Sequence, residues 1–295
     1  MEKLSLIFRC FASGSSGNCY YLGTAQRGIL IDAGISARSI QRGLMDMGLN
    51  WSNIMGVLVT HDHADHIRAV DTIGEKVHVP IYSTREIHEG IDANYGVKEK
   101  LRGSRRYFIK EQSWELFGMR INTFSISHDS TDCLGYVIDY LGQRFLIATD
   151  CGEPNDLLRE YLKTANHIVI EANHDEQKLL NGAYPTYLKQ RILSPFGHQS
   201  NHTCGKLLQE NYHPGMRNIF LCHLSRENND PQIAFDTVTS YLEEIGLEVG
   251  KDYFLRTLDR TTPSPIYILN DQVLTMETTH NESENEDESE EEENL

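Results

Sequence analysis

The segment Val57–His66 reads V-L-V-T-H-D-H-A-D-H, which places His61, His63, Asp65 and His66 within six residues. Imidazole nitrogens and carboxylate oxygens at this density are the donors that divalent cations take. The residues before His61 are apolar or β-branched, so a strand delivers the cluster at its carboxyl end. Side chains alternate along an extended chain. His61 and His63 therefore point the same way, and Asp65 and His66 fall on the turn into the next helix.

The same context recurs at four other places. Phe124–Ser127 runs into His128, Phe145–Thr149 into Asp150, Ile219–Cys222 into His223, and Ile29–Ile31 into Asp32. Taken singly, each of these residues reads as a cap or turn. Strand ends along one sheet edge face a shared cleft, however, and there these residues can converge. Five histidines and two or three aspartates would suit two divalent cations a few ångströms apart, bridged by a carboxylate.

Short β-prone segments are expected at 4–12, 18–23, 28–32, 54–60, 79–82, 119–127, 134–140, 144–149, 167–171, 218–222, 253–256 and 265–269. Helical spacing is expected over 35–47, 155–162, 185–193, 203–211 and 231–245, with a further helix starting at 66–73. No internal repeat or linker interrupts residues 1–272. Blocks of strands with helices between them imply two sheets covered by helices, an α+β arrangement rather than a simple βαβ alternation.

The 295 residues carry 43 acids and 27 bases, a net charge of −16. Ten of the acids fall between Glu277 and Glu293, where there is no Lys or Arg. Without them the balance is 33 to 27, so the body is only mildly acidic. A domain over 1–272 followed by an acidic disordered tail at 273–295 is therefore expected. The tail reads as solubilising, with nucleic-acid mimicry as the sharper alternative. No stretch reaches the ~18 consecutive apolar residues of a membrane span, so no membrane partner is expected. The run Leu4–Phe8 is cut short by Arg9 and does not read as a secretory signal. Six scattered cysteines without C-x-x-C spacing suit free thiols in a reducing compartment, which points to the cytoplasm.

With Asp32 upstream and His128, Asp150 and His223 downstream, T-H-D-H-A-D-H resembles the metallo-β-lactamase superfamily over about residues 4–270. F-A-S-G-S-S-G-N at 11–18, I-D-A-G at 31–34, E-A-N-H-D at 171–175, G-H-Q-S-N at 197–201 and H-L-S-R-E-N-N at 223–229 narrow the resemblance to its WalJ/YycJ-like nuclease branch. The resemblance implies a four-layer αββα sandwich with a dinuclear centre that hydrolyses phosphodiesters. The substrate it implies is DNA, single- or double-stranded, degraded by an exonuclease working 5′ to 3′. It implies His61, His63 and His128 on one metal, Asp65, His66 and His223 on the other, and Asp150 between them. Asp32 would stand behind the ligands and fix a histidine tautomer. Large inserted domains of RNA-degrading relatives are absent, which argues against a long RNA channel.

Two cations lower the pKa of a bridging water, so hydroxide forms near neutral pH and attacks phosphorus. Asp65 can accept or orient its proton. His198 and His174 are the candidate donors to the leaving oxygen, although a hydrogen-bonded loop histidine would read the same way. Glu171 can orient either histidine or cap the following helix. Zn²⁺ suits histidines with carboxylates, with Mn²⁺ and Fe²⁺ as alternatives. No organic cofactor is expected.

The loop Ser13–Asn18 is rich in backbone N–H groups. It reads first as a turn, with Ser15 and Asn18 reaching substrate at the cleft rim, and Asn201 is a further candidate contact. Lys98–Lys110 holds six bases and one acid beside aromatics. Arg102, Arg105 and Arg106 there could follow a nucleic-acid backbone or form an ordinary solvated face. The rival functions are hydrolysis of a cyclic phosphodiester, thioester or lactone, and a non-catalytic signalling module.

Overall fold

The computed structural model describes residues 4–274. The first sheet contains β1 (Leu6–Ala12), β2 (Cys19–Gly23), β3 (Gly28–Ile31), β4 (Ile54–Leu58), β5 (Ile81–Ser83) and β6 (Arg105–Tyr107). The second contains β7 (Trp114–Leu116), β8 (Met119–Ser125), β9 (Leu134–Tyr140), β10 (Gln143–Ala148), β11 (His167–Glu171), β12 (Asn218–Cys222) and β13 (Phe254–Thr257). A last strand, β14 (Tyr267–Leu269), returns to pair with β1. The orders are β14-β1-β2-β3-β4-β5-β6 and β13-β12-β11-β10-β9-β8-β7. Each sheet is antiparallel through its hairpins and turns parallel from β3 onward and from β10 onward.

Parallel neighbours need crossovers, and most of these are helical. They are α1 (Ala37–Met45), α2 (Ala64–Ile67), α3 (Arg85–Ala93), α4 (Asp156–Leu162), α5 (Glu176–Asn181), α6 (Thr186–Ile192), α7 (Asn201–Asn211) and α8 (Pro231–Glu243). Ser36 caps α1 through the Ser39 amide, and Asn155 caps α4 through the Leu158 amide. β2, β3, β11 and β12 are buried along their whole length, as their largely apolar sequences require of strands covered on both faces.

Aromatic rings join the two sheets. Phe8 lies 5.2 Å from Phe145 and 4.8 Å from Phe220, which is 4.8 Å from Tyr267. Each such side chain contributes about 1.5–3 kcal/mol when fully buried. Ile40 and Leu44 of α1 and Ile87 and Ile91 of α3 pack with the first sheet. Leu207, Leu208, Val238 and Leu242 of α7 and α8 cover the second. The result is the expected four-layer αββα sandwich.

Three features differ from the sequence reading. The helix expected from 66 to 73 is the single turn α2, followed by a wider turn at Thr72–Lys76. The Asp65 carbonyl accepts from Asn18 N–H, and Ala69 N–H donates to Ala33, so the bond that would extend α2 is not made. Helices α3 and α5 and strands β6 and β7 were not anticipated. Finally, the packed chain continues beyond residue 272: Leu274 is buried and donates its N–H to Asn218 Oδ1 at 3.0 Å. The rest of the acidic segment, 275–295, lies outside the described residues.

Candidate metal centre

The parallel strands end together, and their carboxyl ends carry the ligand-type residues. Asp32 follows β3, His61 follows β4 by way of Val59 and Thr60, Asp150 follows β10, Glu171 closes β11, and His223 follows β12. His128 follows β8. Asp32, Asp150 and His223 have φ of 60°, 52° and 55°, a left-handed backbone that costs a non-glycine residue on the order of 1–3 kcal/mol. Neighbours hold two of these turns in place. Asp32 N–H donates to Leu58 at 2.8 Å, and His223 N–H donates to Ser13 Oγ at 2.9 Å. Gly34 lets the β3 end approach α2, because a Cβ there would overlap the Asp65 carbonyl.

Ligand atoms of His61, His63 and His128 lie within 4.8 Å of one another, and so do those of Asp65, His66 and His223. Asp150 stands between the two groups. Its Oδ2 is 3.1 Å from His66 Nε2, and its Oδ1 is 3.3 Å from His223 Nδ1 and 3.9 Å from His128 Nε2. Asp65 Oδ2 is 3.7 Å from His66 Nε2 and 3.6 Å from His223 Nε2.

A second ring of groups fixes these rings. Asp32 Oδ2 lies 2.7 Å from His66 Nδ1, and its Oδ1 accepts from Thr60 N–H at 2.8 Å. Thr60 Oγ1 donates to Asp32 Oδ2 and lies 3.0 Å from His61 Nδ1. Glu171 Oε1 lies 2.9 Å from His223 Nδ1 and 2.8 Å from His198 Nδ1, while its Oε2 accepts from the Cys151 and Gln199 amides. Glu171 is therefore tied to the histidines and does not cap the next helix, a role that Asp175 fills.

The charges follow from this crowding. Burial opposes ionisation of Asp150, but His223 and His66 hold its carboxyl well below the usual range. Burial likewise opposes protonation of His66 and His223. Asp150 and the other carboxylates nevertheless push His66 well above its ordinary value and His223 to about 10. Burial and neighbouring imidazoles push His61 down.

The donor set fits divalent cations. Among the described residues, His61 Nε2 and His223 Nε2 are buried without a hydrogen-bond partner, one in each group of three. A buried imidazole nitrogen in that state is costly unless something takes its lone pair or proton. The first group offers three imidazoles, and the second mixes imidazole with carboxylate.

Several expected contacts are placed elsewhere. Asn18 is wholly buried: its Nδ2 meets Gly14 O and His66 Nε2, and its Oδ1 accepts from the Gly14 amide, so it braces the centre instead of facing substrate. Asn201 is buried in a reciprocal amide pair with Asn229 at 2.9 Å both ways. His174 is buried, with neither ring nitrogen partnered, and burial pushes it down to about 4, which leaves it neutral and ill-suited to donate a proton. His198 does reach the centre, its Nδ1 3.8 Å from Asp150 Oδ1. Arg105 is paired with Asp92 at 2.8 Å, whereas Arg106 is exposed and donates only to the Gly103 and Arg105 carbonyls. Arg102 and Ser15 are exposed.

Sequence reasoning missed Thr60, Ser13 and Asn173. Asn173 Nδ2 donates to His223 O at 2.8 Å. Thr60 directly precedes His61, and that adjacency was an available signal. Ser13 and Asn173 lie within the motifs at 11–18 and 171–175, but their contacts run across the fold, so the motifs did not show their roles.

Strand-end histidines around a shared carboxylate, on an αββα sandwich, define a metal-dependent hydrolase. A model of the beta-lactamase superfamily domain matches residues 27–209. Exodeoxyribonuclease YycJ of Bacillus anthracis is 30% identical over 264 residues, 89% of this chain and 99% of that protein. Exodeoxyribonuclease WalJ of Streptococcus pneumoniae serotype 2 is 31% identical over 267 residues, 90% and 99% of the two chains. The crystal structure of Zn²⁺-bound PqqB from Methylobacterium extorquens has a TM-score of 0.64 at 13% identity, covering 87% of this chain and 99% of that one. The chain belongs to the metallo-β-lactamase superfamily and, within it, to the WalJ/YycJ-like group. Among the described residues no helix is long and apolar enough to cross a membrane.

Proposed function

We propose that the protein is a DNA exonuclease that hydrolyses phosphodiester bonds at this centre, working 5′ to 3′ in the cytoplasm. The observation that carries the proposal is the position of Asp150, with one oxygen toward His66 and the other toward His223 and His128. The resemblance to two exodeoxyribonucleases over nearly their whole length supports DNA as the substrate.

His61, His63 and His128 would hold one divalent cation and Asp65, His66 and His223 the other, with Asp150 shared and Zn²⁺ favoured over Mn²⁺ or Fe²⁺. When bound, such ions act as Lewis acids that offset phosphate charge and acidify water. Asp65 is partly open to the cleft and can take the proton of the attacking water. Asp32 holds His66 so that Nε2 faces the centre. Glu171 holds His198 through Nδ1, and the far side of the His198 ring supplies a proton to the leaving oxygen.

The test is metal analysis of the purified protein together with digestion of 5′- and 3′-labelled single- and double-stranded DNA and RNA. Near-stoichiometric metal and mononucleotide release from DNA, first from the 5′ end, are expected. Failure of the metal-loaded protein to shorten any DNA would refute the proposal.

A further inference from the structure

Beside Asp65 a cleft of about 340 Å³ opens between the Ser13–Asn18 loop, α2 and the loop after α3. Its walls include Ser15, Ser16, Asp65, Arg68, Asn94 and Val97. Asp65 belongs to the second ligand group, so the cleft lies beside the metal centre and shares that residue with it.

Arg68 is exposed, one turn beyond Asp65, and its guanidinium makes no ion pair or hydrogen bond among the described residues. That sets it apart from Arg105, Arg144, Arg159 and Arg191, each held by a carboxylate. The Ser15 and Ser16 hydroxyls across the cleft are also exposed and uncommitted. A free guanidinium facing two free hydroxyls matches a phosphate diester, which accepts hydrogen bonds on both non-bridging oxygens. Tyr95 stands between the lining residues Asn94 and Gly96 and is fully exposed. Asn94 fixes its loop by donating to Asp62 O at 3.1 Å and accepting from Gly96 N–H at 2.9 Å. A large exposed ring on a braced loop whose flanking residues line the cleft is suited to stacking on a base, and such stacking tolerates any sequence.

We infer that this cleft binds the nucleotide adjacent to the scissile phosphate, with its phosphate on Arg68, Ser15 and Ser16 and its base on Tyr95. The inference rests on the DNA reading above and deepens it. It adds the α2 side of the centre to the substrate track, in place of Arg105, which Asp92 holds.

The experiment is steady-state digestion of a 5′-phosphorylated single-stranded oligonucleotide by the metal-loaded full chain, over a salt series. Arg68→Ala, Arg68→Lys, Tyr95→Ala and Tyr95→Phe are compared with the wild type, and metal content and Tm show that each variant is folded and loaded. Arg68→Ala should raise KM roughly tenfold and lower the salt slope by about 0.7, the share of one phosphate on a single strand. Arg68→Lys should restore the slope. Tyr95→Ala should raise KM about 5- to 150-fold, and Tyr95→Phe should not, because stacking needs the ring and not the hydroxyl. An abasic residue stepped along the oligonucleotide should abolish the difference between wild type and Tyr95→Ala at one position only. Wild-type KM and salt slope in both alanine variants would overturn the inference while the DNA reading stands. A Tyr95→Ala penalty that persists at every abasic position would overturn the base assignment. If the wild type itself cleaves no DNA, the functional proposal fails and this one with it, so the two failures are distinguishable.

Discussion

Asp32→Asn should weaken metal binding about 10- to 100-fold without unfolding the protein. Asp32 is fully buried; its Oδ1 accepts the Thr60 N–H at 2.8 Å, and its Oδ2 lies 2.7 Å from His66 Nδ1 and accepts Thr60 Oγ1–H at 2.9 Å. An asparagine of the same shape keeps its carbonyl on the Thr60 amide, which puts its NH₂ where Oδ2 was. Two donors cannot face each other, so His66 Nδ1 must become the acceptor and the ring proton moves to Nε2. That is the nitrogen directed at Asp150 and Asp65, and once protonated it cannot ligate. A loss of 10- to 100-fold corresponds to about 1.4–2.7 kcal/mol, in line with other groups that orient a metal-bound histidine. Burial raises the Asp32 carboxyl despite His66, so the metal-free fold gains little from that charge, and its Tm should fall little in the variant. The assay is competition with a chromogenic chelator, paired with thermal melts in excess chelator. Unchanged affinity would refute the tautomer argument. A Tm that collapses in step with affinity would show that Asp32 acts as a structural brace.

Asp150→Ala should remove activity and lower metal content, because an anionic bridge between two cations has no replacement; full occupancy with near-normal turnover, by metal analysis and DNA digestion, would sink that role. His198→Ala should keep its metal but lose about 10²–10⁴ in kcat on DNA, with a much smaller loss on bis-p-nitrophenyl phosphate, whose leaving group needs little protonation; equal losses on both substrates would argue against a proton donor. Truncation after Asn270 should lower Tm by several degrees, because it removes the buried Leu274 side chain, worth about 2 kcal/mol, and the Asp271 acceptor of Gln143. Truncation after Leu274 should leave the melt unchanged, and a similar loss in both would show that residues beyond 274 pack.

What the sequence made legible depended on where each signal lay. His61, His128, Asp150 and His223 could be read because each follows an apolar run, so local pattern alone placed it at a strand end. Helix α3 was legible in principle. Thr84 caps it through the Ile87 amide, and Ile87 and Ile91 repeat at i and i+4, but the segment was passed over. Asn18 and Asn201 were misread for a different reason. An amide that braces a buried turn and one that meets a ligand need the same donors and acceptors, and only burial separates them. Arg105 and Arg68 show the same limit in opposite directions. Arg105 stands in a conspicuous basic run, yet Asp92, 13 residues away, neutralises it. Arg68 has no basic neighbour within the motif, yet no carboxylate among the described residues reaches it, and it lines the same cleft as Asp65. A sequence reports where charges are along the chain, but whether a charge is free is set by contacts across the fold. For that reason candidate metal ligands, which are strung along strand ends, can be picked out before the structure is known, and the residues that would hold the substrate cannot.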